Sequence, residues 1–402
     1  SGKMSSLDEF RLQTRDWLES NCPRSMRTRM VPGEQVTGGQ KRPSSNPDSY
    51  LWLDRMVEKG WTVPTWPAEY GGGGLKKDRF LILLQELQRI QARPPLGGMG
   101  VDMIGPTLLE FGTNSQKARH LPAIARGETA WCQGYSEPGA GSDLASLTTK
   151  AEPDGDRYLV NGSKIWTSGA QTADWIFCLV RTDLSAPKHK GISFVLFPMD
   201  QEGVAVKPIN MINGHSPFCE TFFHNAVAKK EDLVHEENHG WTVAKRLLQY
   251  ERSSLSSLAN ADTAGALERI KPSVSLPKLA LEYEGKKKNI SSTLRSRILK
   301  NELQREAYLL TQRRAVEEEE AQAPGSTSSI FKYVEADYVK EQLEIQLAIR
   351  GFSGIGWDGH GFSNEEISMG RLWLEAKSIS IAGGSNEIQL NIIAKRVLGL
   401  PD

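Results

Sequence analysis

The chain has 402 residues, 39% of them hydrophobic and 24% charged, and its Lys+Arg and Asp+Glu totals are both 49. That length suits two or three domains, and the zero net charge gives no reason to expect nucleic acid or an anionic membrane as a partner. Its cysteines, Cys22, Cys132, Cys178 and Cys219, are too few and scattered for a disulfide framework or a zinc site, so no metal is expected.

No apolar run approaches the roughly 20 residues of a membrane helix. The opening "SGKMSSLDEF" lacks the apolar core of a secretion signal. With unpaired cysteines, this reads as a cytoplasmic protein.

In chain order, three textures follow one another. Residues 4–128 read as helical. "LDEFRLQTRDWLESN" places Leu7, Phe10, Leu12, Trp17 and Leu18 in an amphipathic pattern. "DRFLILLQELQRIQA" is a second helix, and "NSQKARHLPAIARGE" a third, with Asn114 or Ser115 as its cap. Between the first two, "PTWPAEYGGGGL" is a loop stiffened by proline and then freed by glycines.

Residues 129–236 read as strands. In "RYLVNGSKIWTSG" the Asn161-Gly162 pair predicts a two-residue hairpin turn. "DWIFCLVRTD", "GISFVLFPMD" and "ETFFHNAVA" are further short strands. Residues 237–402 return to helix. The acidic run Glu317 to Glu320 reads as a solvated helix end leading into a Pro-Gly-Ser loop, and "EGKKKNISST" as an exposed connection.

The stretch "EPGAGSDLASL" from Glu137 cannot be regular helix or central strand, because proline and two glycines force a tight loop. Such a loop offers backbone N–H groups and small hydroxyls to a phosphate or a polar heterocycle. It has neither the Gly-Lys-Ser/Thr of a P-loop nor the G-x-G-x-x-G of a Rossmann turn.

Four segments in order, "YSEPGAGSDLASLTTKA", "VNGSKIWTSGA", "GISFVLFPMDQEGV" and "IAGGSNEIQLNIIAKRVLGLP", resemble the acyl-CoA dehydrogenase family across nearly the whole chain. The resemblance implies an α+β fold: an N-terminal helical domain, a middle β-barrel or sandwich domain and a C-terminal four-helix bundle. It implies FAD as cofactor, an acyl-CoA thioester as substrate and oxidation of its Cα–Cβ bond. An electron-transfer flavoprotein is the implied electron acceptor, and the implied assembly is a homotetramer or heterotetramer.

Position by position, Tyr135 and Ser136 match residues that contact the flavin ring. Gly141 and Ser142 match the loop that meets the cofactor and the thioester end of the substrate. Trp166, Thr167 and Ser168 match the segment covering the flavin and its phosphates. Ser385 and Glu387 match positions approaching the adenine and pyrophosphate. The family's Arg-x-x-Phe motif is missing from "KPSVSLPKLALEYEG", and Arg295 or Arg297 in "TLRSRILK" resemble the arginine pattern of a divergent bacterial branch.

The chemistry needs a base to take the weakly acidic α-proton, and burial beside apolar surface moves a carboxyl toward the required range. Many members place a glutamate in the C-terminal loop, where this chain has Gly383. A minority place it on a bundle helix, and the matching residue here is Glu251, followed by Arg252. In "LLQYERSSLSSL" Glu251 lies four residues after Leu247 and four before Leu255, on the apolar stripe of its helix. Adjacent residues on a helix face apart, so Arg252 is assigned to the substrate pocket, or to a pair elsewhere in the bundle, rather than to Glu251.

The motifs look closer to the branch acting on bulky, branched or steroid-derived acyl-CoAs than to straight-chain enzymes. Two alternatives stay open: a non-catalytic partner subunit of a heteromer, and another use of the scaffold, such as a flavin oxidase or a DNA-damage-type binding protein. Lack of a basic tail speaks against the last.

Overall fold

The computed structural model describes residues 5–28, 30–31, 33–41, 44–257, 275–287, 290–320 and 330–401. The chain divides into two compact units, residues 1–209 with 216–264 and residues 210–215 with 265–402.

The first unit opens with helices α1 (Ser6–Asn21), α2 (Pro47–Glu58), α3 (Lys77–Arg89), α4 (Gly105–Phe111) and α5 (Asn114–Ala125). On α1, Leu18 is buried as its spacing predicts, but Leu12 is 44% exposed. The cap of α5 is Thr113, one residue ahead of the expected Asn114 or Ser115. Its hydroxyl accepts from the Gln116 N–H, and the Gln116 side chain returns a bond to the Thr113 N–H, a reciprocal capping box. Glu86 on α3 is buried but ringed by Arg11, Arg15 and Arg89.

The strands are β1 (Trp131–Gly134), β2 (Lys150–Asp154), β3 (Arg157–Ser168), β4 (Trp175–Arg181), β5 (Ile192–Pro198), β6 (Val204–Pro208), β7 (Phe218–Lys229) and β8 (Leu233–Val234). They run in the order β6-β7-β3-β2-β4-β5-β8, with β1 parallel to β4. Strands β4 and β5 are almost wholly apolar because both faces are covered, with only Ser193 and the terminal Arg181 polar. On β4, Phe177 and Leu179 enter a core shared with Leu108, Leu121, Val243 and Leu247. The alternating Ile176, Cys178 and Val180 enter a second core with Cys132, Phe197 and Phe223. The two-residue period of a strand makes that division.

The expected hairpin at Asn161-Gly162 is not formed. Residues 157–168 are one strand, and Gly162 sits at a break in its register with β7. Asn161 exchanges bonds across that break, its Oδ1 accepting from the Asn225 N–H at 2.8 Å. The chain turns earlier, at Gly155 between β2 and β3, where φ is +62°. An Asn-Gly pair suits a bulge as well as a turn, and "PDGD" already supplied the turn.

Helix α6 (Gly240–Ser257) packs against β5, α4 and the short π-helix Gly100–Ile104 within the first unit. The second unit holds α7 (Leu276–Lys287), α8 (Ser292–Glu320), α9 (Phe331–Arg350), α10 (Asn364–Glu375) and α11 (Asn386–Ile392). One of its cores joins Leu276, Leu279, Ile298, Ile345 and Ile349. Another joins Val339, Leu343, Met369 and Ile379. The acidic run ends α8, where Glu317 and Glu318 pair with Arg313 and Arg314 one turn back. The expected Pro-Gly-Ser loop lies outside the described residues. Among the described residues, no helix is long and apolar enough to cross a membrane.

Candidate active site

Two segments named from sequence come together in the sheet domain. The Ile165 N–H donates to the Ser136 carbonyl at 2.9 Å, which ties the end of β3 to the turn after β1. At Trp166 the strand bulges: the register with β7 shifts between Lys164 and Thr167, and Trp166 takes φ +60°. Left-handed backbone is rare for a bulky residue. It turns the indole outward, where it stays 51% exposed and meets only the edge of Phe218 among the described aromatic rings.

The named residues divide by direction. Ser136 and Ser168 are half-buried, and Gly141, Ser142 and Trp166 are exposed. Tyr135 and Thr167 point inward instead. The Tyr135 ring packs edge-on against Phe177 and Phe194, so it reaches a ligand on the outer face only through its backbone. Thr167 is fully buried, with no hydrogen-bond partner for its hydroxyl among the described residues.

The loop is locked from behind by groups that spacing did not point to. Lys164 is fully buried, and its Nζ donates to the Tyr135 carbonyl at 3.0 Å and to Glu137 Oε1 at 2.9 Å. Glu137 also accepts from the N–H groups of Thr148 and Thr149 at 2.7 and 2.9 Å, closing the loop end to end. Burial alone would raise the Glu137 carboxyl. The Lys164 charge and the bonds from Thr149, Lys164 and Thr148 overcome that and hold it at about 2. Arg181 donates to the carbonyls of Ala145 and Leu147 at 2.6 and 3.0 Å. The visible signal was Glu137 inside the quoted motif; its partner Lys164 on β3 had none.

A Cβ built on Gly139 or Gly141 meets no atom within 4 Å, so packing within the chain does not require glycine there. The backbone there is left open to close approach by an outside group. With an exposed indole and hydroxyls beside that loop, the residues fit a flat heterocycle with polar edges.

The other named positions fall elsewhere. Val243 and Leu247 of α6 are fully buried. The side chains of Glu251 and Arg252, one turn on, lie outside the described residues. In the second unit, the Ser385 hydroxyl caps α11 by accepting from the Ile388 N–H at 3.4 Å. Glu387 is exposed, its carboxyl lowered by its own N–H and the Ser385 hydroxyl. Arg295 is exposed on α8, and Arg297 pairs with Glu341 at 2.9 Å. Gly383 and Gly384 have φ +66° and +95°, values that strain any residue with a side chain.

Helices precede and follow a sheet domain that carries an open glycine loop. Three family models match in order: acyl-CoA dehydrogenase N-terminal domain at residues 10–128, middle domain at 132–226 and C-terminal domain at 238–398. The chain is 34% identical over 99% of both sequences to acyl-CoA dehydrogenase IpdE1 of Mycobacterium tuberculosis. It is 36% identical to acyl-CoA dehydrogenase FadE34 of the same organism, over 86% of this chain and 45% of that one. Among solved structures it matches the Tcur3481-Tcur3483 steroid ACAD at TM-score 0.74 and 30% identity, over 100% of this chain and 99% of that one. The ChsE4-ChsE5 complex of Mycobacterium tuberculosis matches at TM-score 0.69 and 25% identity, with the same coverage. This protein belongs to the acyl-CoA dehydrogenase family and is an oxidoreductase.

Proposed function

We propose that the chain is a catalytically active subunit that removes hydrogen from Cα and Cβ of an acyl-CoA thioester, giving the trans-2-enoyl-CoA. Bound FAD supplies the hydride acceptor, and an electron-transfer flavoprotein takes the electrons onward. Ser136, Gly141, Ser142, Trp166 and Ser168 form the surface that holds the ring, with the Tyr135 and Thr167 backbones. Ser142 also meets the thioester end, while Arg295, Ser385 and Glu387 belong to the nucleotide end. Glu251 takes the α-proton, and Arg252 lines the substrate pocket. The division into domains at residues 129 and 237 is part of the same reading.

One observation carries the choice of base. Val243 and Leu247 are fully buried on α6, and Glu251 follows at the same four-residue step, which keeps it on that stripe. The tail position used by many family members is Gly383, in a left-handed conformation that disfavours a glutamate. A bulky, ring-bearing acyl group is the preferred substrate class, in line with the steroid ACAD among the similar structures. The assembly is a tetramer, of one chain or two.

The test is an anaerobic titration of the purified yellow protein with a panel of acyl-CoAs, followed by the same titration of Glu251→Gln. The variant is expected to keep its flavin and lose bleaching. Bleaching at the wild-type rate would exclude Glu251 as the base. Protein that purifies colourless and takes up no FAD would favour the non-catalytic partner subunit, and rapid peroxide formation in air an oxidase.

A further inference from the structure

Helix α6 meets α4 through a polar contact that the proposed reaction does not use. The Arg246 Nε donates to Glu110 Oε2 at 2.8 Å, and the Tyr250 hydroxyl donates to the same oxygen. The Arg246 guanidinium also lies over the Tyr250 ring, 4.6 Å from its centre, and its Nη1 donates to Gln249 Oε1 at 3.0 Å. Arg246 and Tyr250 are four residues apart, so they stand one above the other on one face of α6. Two donors on α6 thus close on one carboxylate oxygen of α4.

Both halves of this clamp sit on fixed backbone. On α4, Leu108 is fully buried, and the Thr107 hydroxyl donates to the Met103 carbonyl at 2.8 Å. On α6, Gly240 lies so close to β5 that a Cβ there would come within 2.4 Å of the Ser193 carbonyl carbon, and Val243 and Leu247 enter the core. Apolar burial has no preferred direction, whereas a hydrogen bond has one. The clamp residues each stand one place back from the apolar stripe: Arg246 before Leu247, and Tyr250 before residue 251. At 3.6 residues per turn the two rows lie about 100° apart, so fixing one fixes the angle of the other. Turning α6 by about 20° would move a side-chain end on its rim by about 2 Å.

The Glu110 and Arg246 side chains are 38% and 43% exposed, and a pair that open to water adds little to stability. Its geometry counts for more where a reacting group must be placed to within about an ångström. We propose that Glu110, Arg246 and Tyr250 are positioning residues for the proton abstraction: a clamp from α4 that sets the rotation of α6, and so the angle at which the helix carries residue 251. The inference rests on the assignment of Glu251 as the base.

The experiment uses FAD-loaded wild type, Glu110→Ala, Tyr250→Phe and the double variant. Each is mixed anaerobically with excess 3-cyclohexylpropanoyl-CoA, or with whichever acyl-CoA of the panel bleaches the wild type faster, and bleaching is followed by stopped flow. The rate constant reports only protein that holds flavin and reacts, whereas misfolded protein shows as lost amplitude. Each single variant should bleach about tenfold or more slowly at saturation. Half-saturating acyl-CoA concentration, FAD content and melting temperature should change little. The double variant should be no slower than Glu110→Ala, because one clamp is lost only once. Should Glu110→Ala fold poorly, Tyr250→Phe decides alone, since it removes one hydroxyl and keeps the ring beneath Arg246. Bleaching at the wild-type rate in Tyr250→Phe, losses that multiply in the double variant, or a loss confined to amplitude or half-saturation overturns the inference and leaves dehydrogenation intact. Glu251→Gln that bleaches like wild type removes the base, and the role of the clamp with it. Wild-type flavin that no acyl-CoA of the panel bleaches overturns the functional reading as a whole.

Discussion

Lys164 and Glu137 show how one buried pair can organise a surface it never reaches. The ammonium is fully buried and joins the Tyr135 carbonyl to the carboxylate that closes the glycine loop. Lys164→Met would strand the carboxylate without its cation, at a cost of about 3–5 kcal/mol, read as a lower urea midpoint. FAD affinity should fall with it, because the loop and the Trp166 bulge lose their common anchor. The same pair sets a pH window. The Glu137 carboxyl lies at about 2 when folded against an ordinary 4.5. Its stabilisation is therefore complete above about pH 4.5 and fades as pH falls toward 2, about 3 kcal/mol in all. The difference in unfolding free energy between wild type and Glu137→Gln, measured from pH 7 down to 2.5, should shrink across that window. A difference that stays constant with pH would show that the carboxylate charge is not what holds the loop.

At the level of elements, what could be read from sequence depended on how local the determinant was. The β4 and β5 runs were legible because a strand covered on both faces needs uninterrupted apolar residues. The glycine loop was legible as a loop because Pro138, Gly139 and Gly141 allow little else. Thr113 and Gln116 carried a readable capping pattern that was assigned one residue late. The Glu137–Lys164 lock was not legible, since it joins a loop residue to a strand residue 27 positions on and only the folded sheet brings them together. Asn161-Gly162 misled because local chemistry is the same for a turn and a bulge, and the neighbouring strand decides. That decision can be tested with a pair of substitutions. At Gly162, φ is +146° and a Cβ would sit 2.8 Å from Thr149 Cα. At Gly155, φ is +62° with nothing within 4 Å. Gly162→Ala should cost about 2 kcal/mol or more, from backbone strain plus the clash, and Gly155→Ala only about 1 kcal/mol from strain. Urea midpoints give the order, and equal losses would mean that Thr149 does not press on the bulge.

For the whole molecule, the question is what covers the apolar surface of the second unit. Leu299, Leu303 and Leu310 on α8 are 60%, 71% and 65% exposed. At four- and seven-residue steps they lie within one narrow stripe of the helix. The opposite face of α8 is occupied, with Ile298 in the core beside Ile345 and Ile349. A stripe of leucines left open on a long helix is what a second helix would cover, seated at the spacing of a coiled-coil seam. That accords with the tetramer proposed above, in which a neighbouring subunit supplies the covering helix. Light scattering after size exclusion should give a mass well above one chain for the protein expressed alone if the neighbour is a second copy. The triple variant Leu299→Lys, Leu303→Lys, Leu310→Lys should then shift to a smaller species, with unchanged far-ultraviolet circular dichroism, because all three positions face solvent within the subunit. Wild-type protein that runs as a monomer but assembles when a related chain is co-expressed would assign the stripe to a heteromeric contact. If the triple variant keeps the full wild-type mass, α8 is not part of the interface, and the leucines need another explanation.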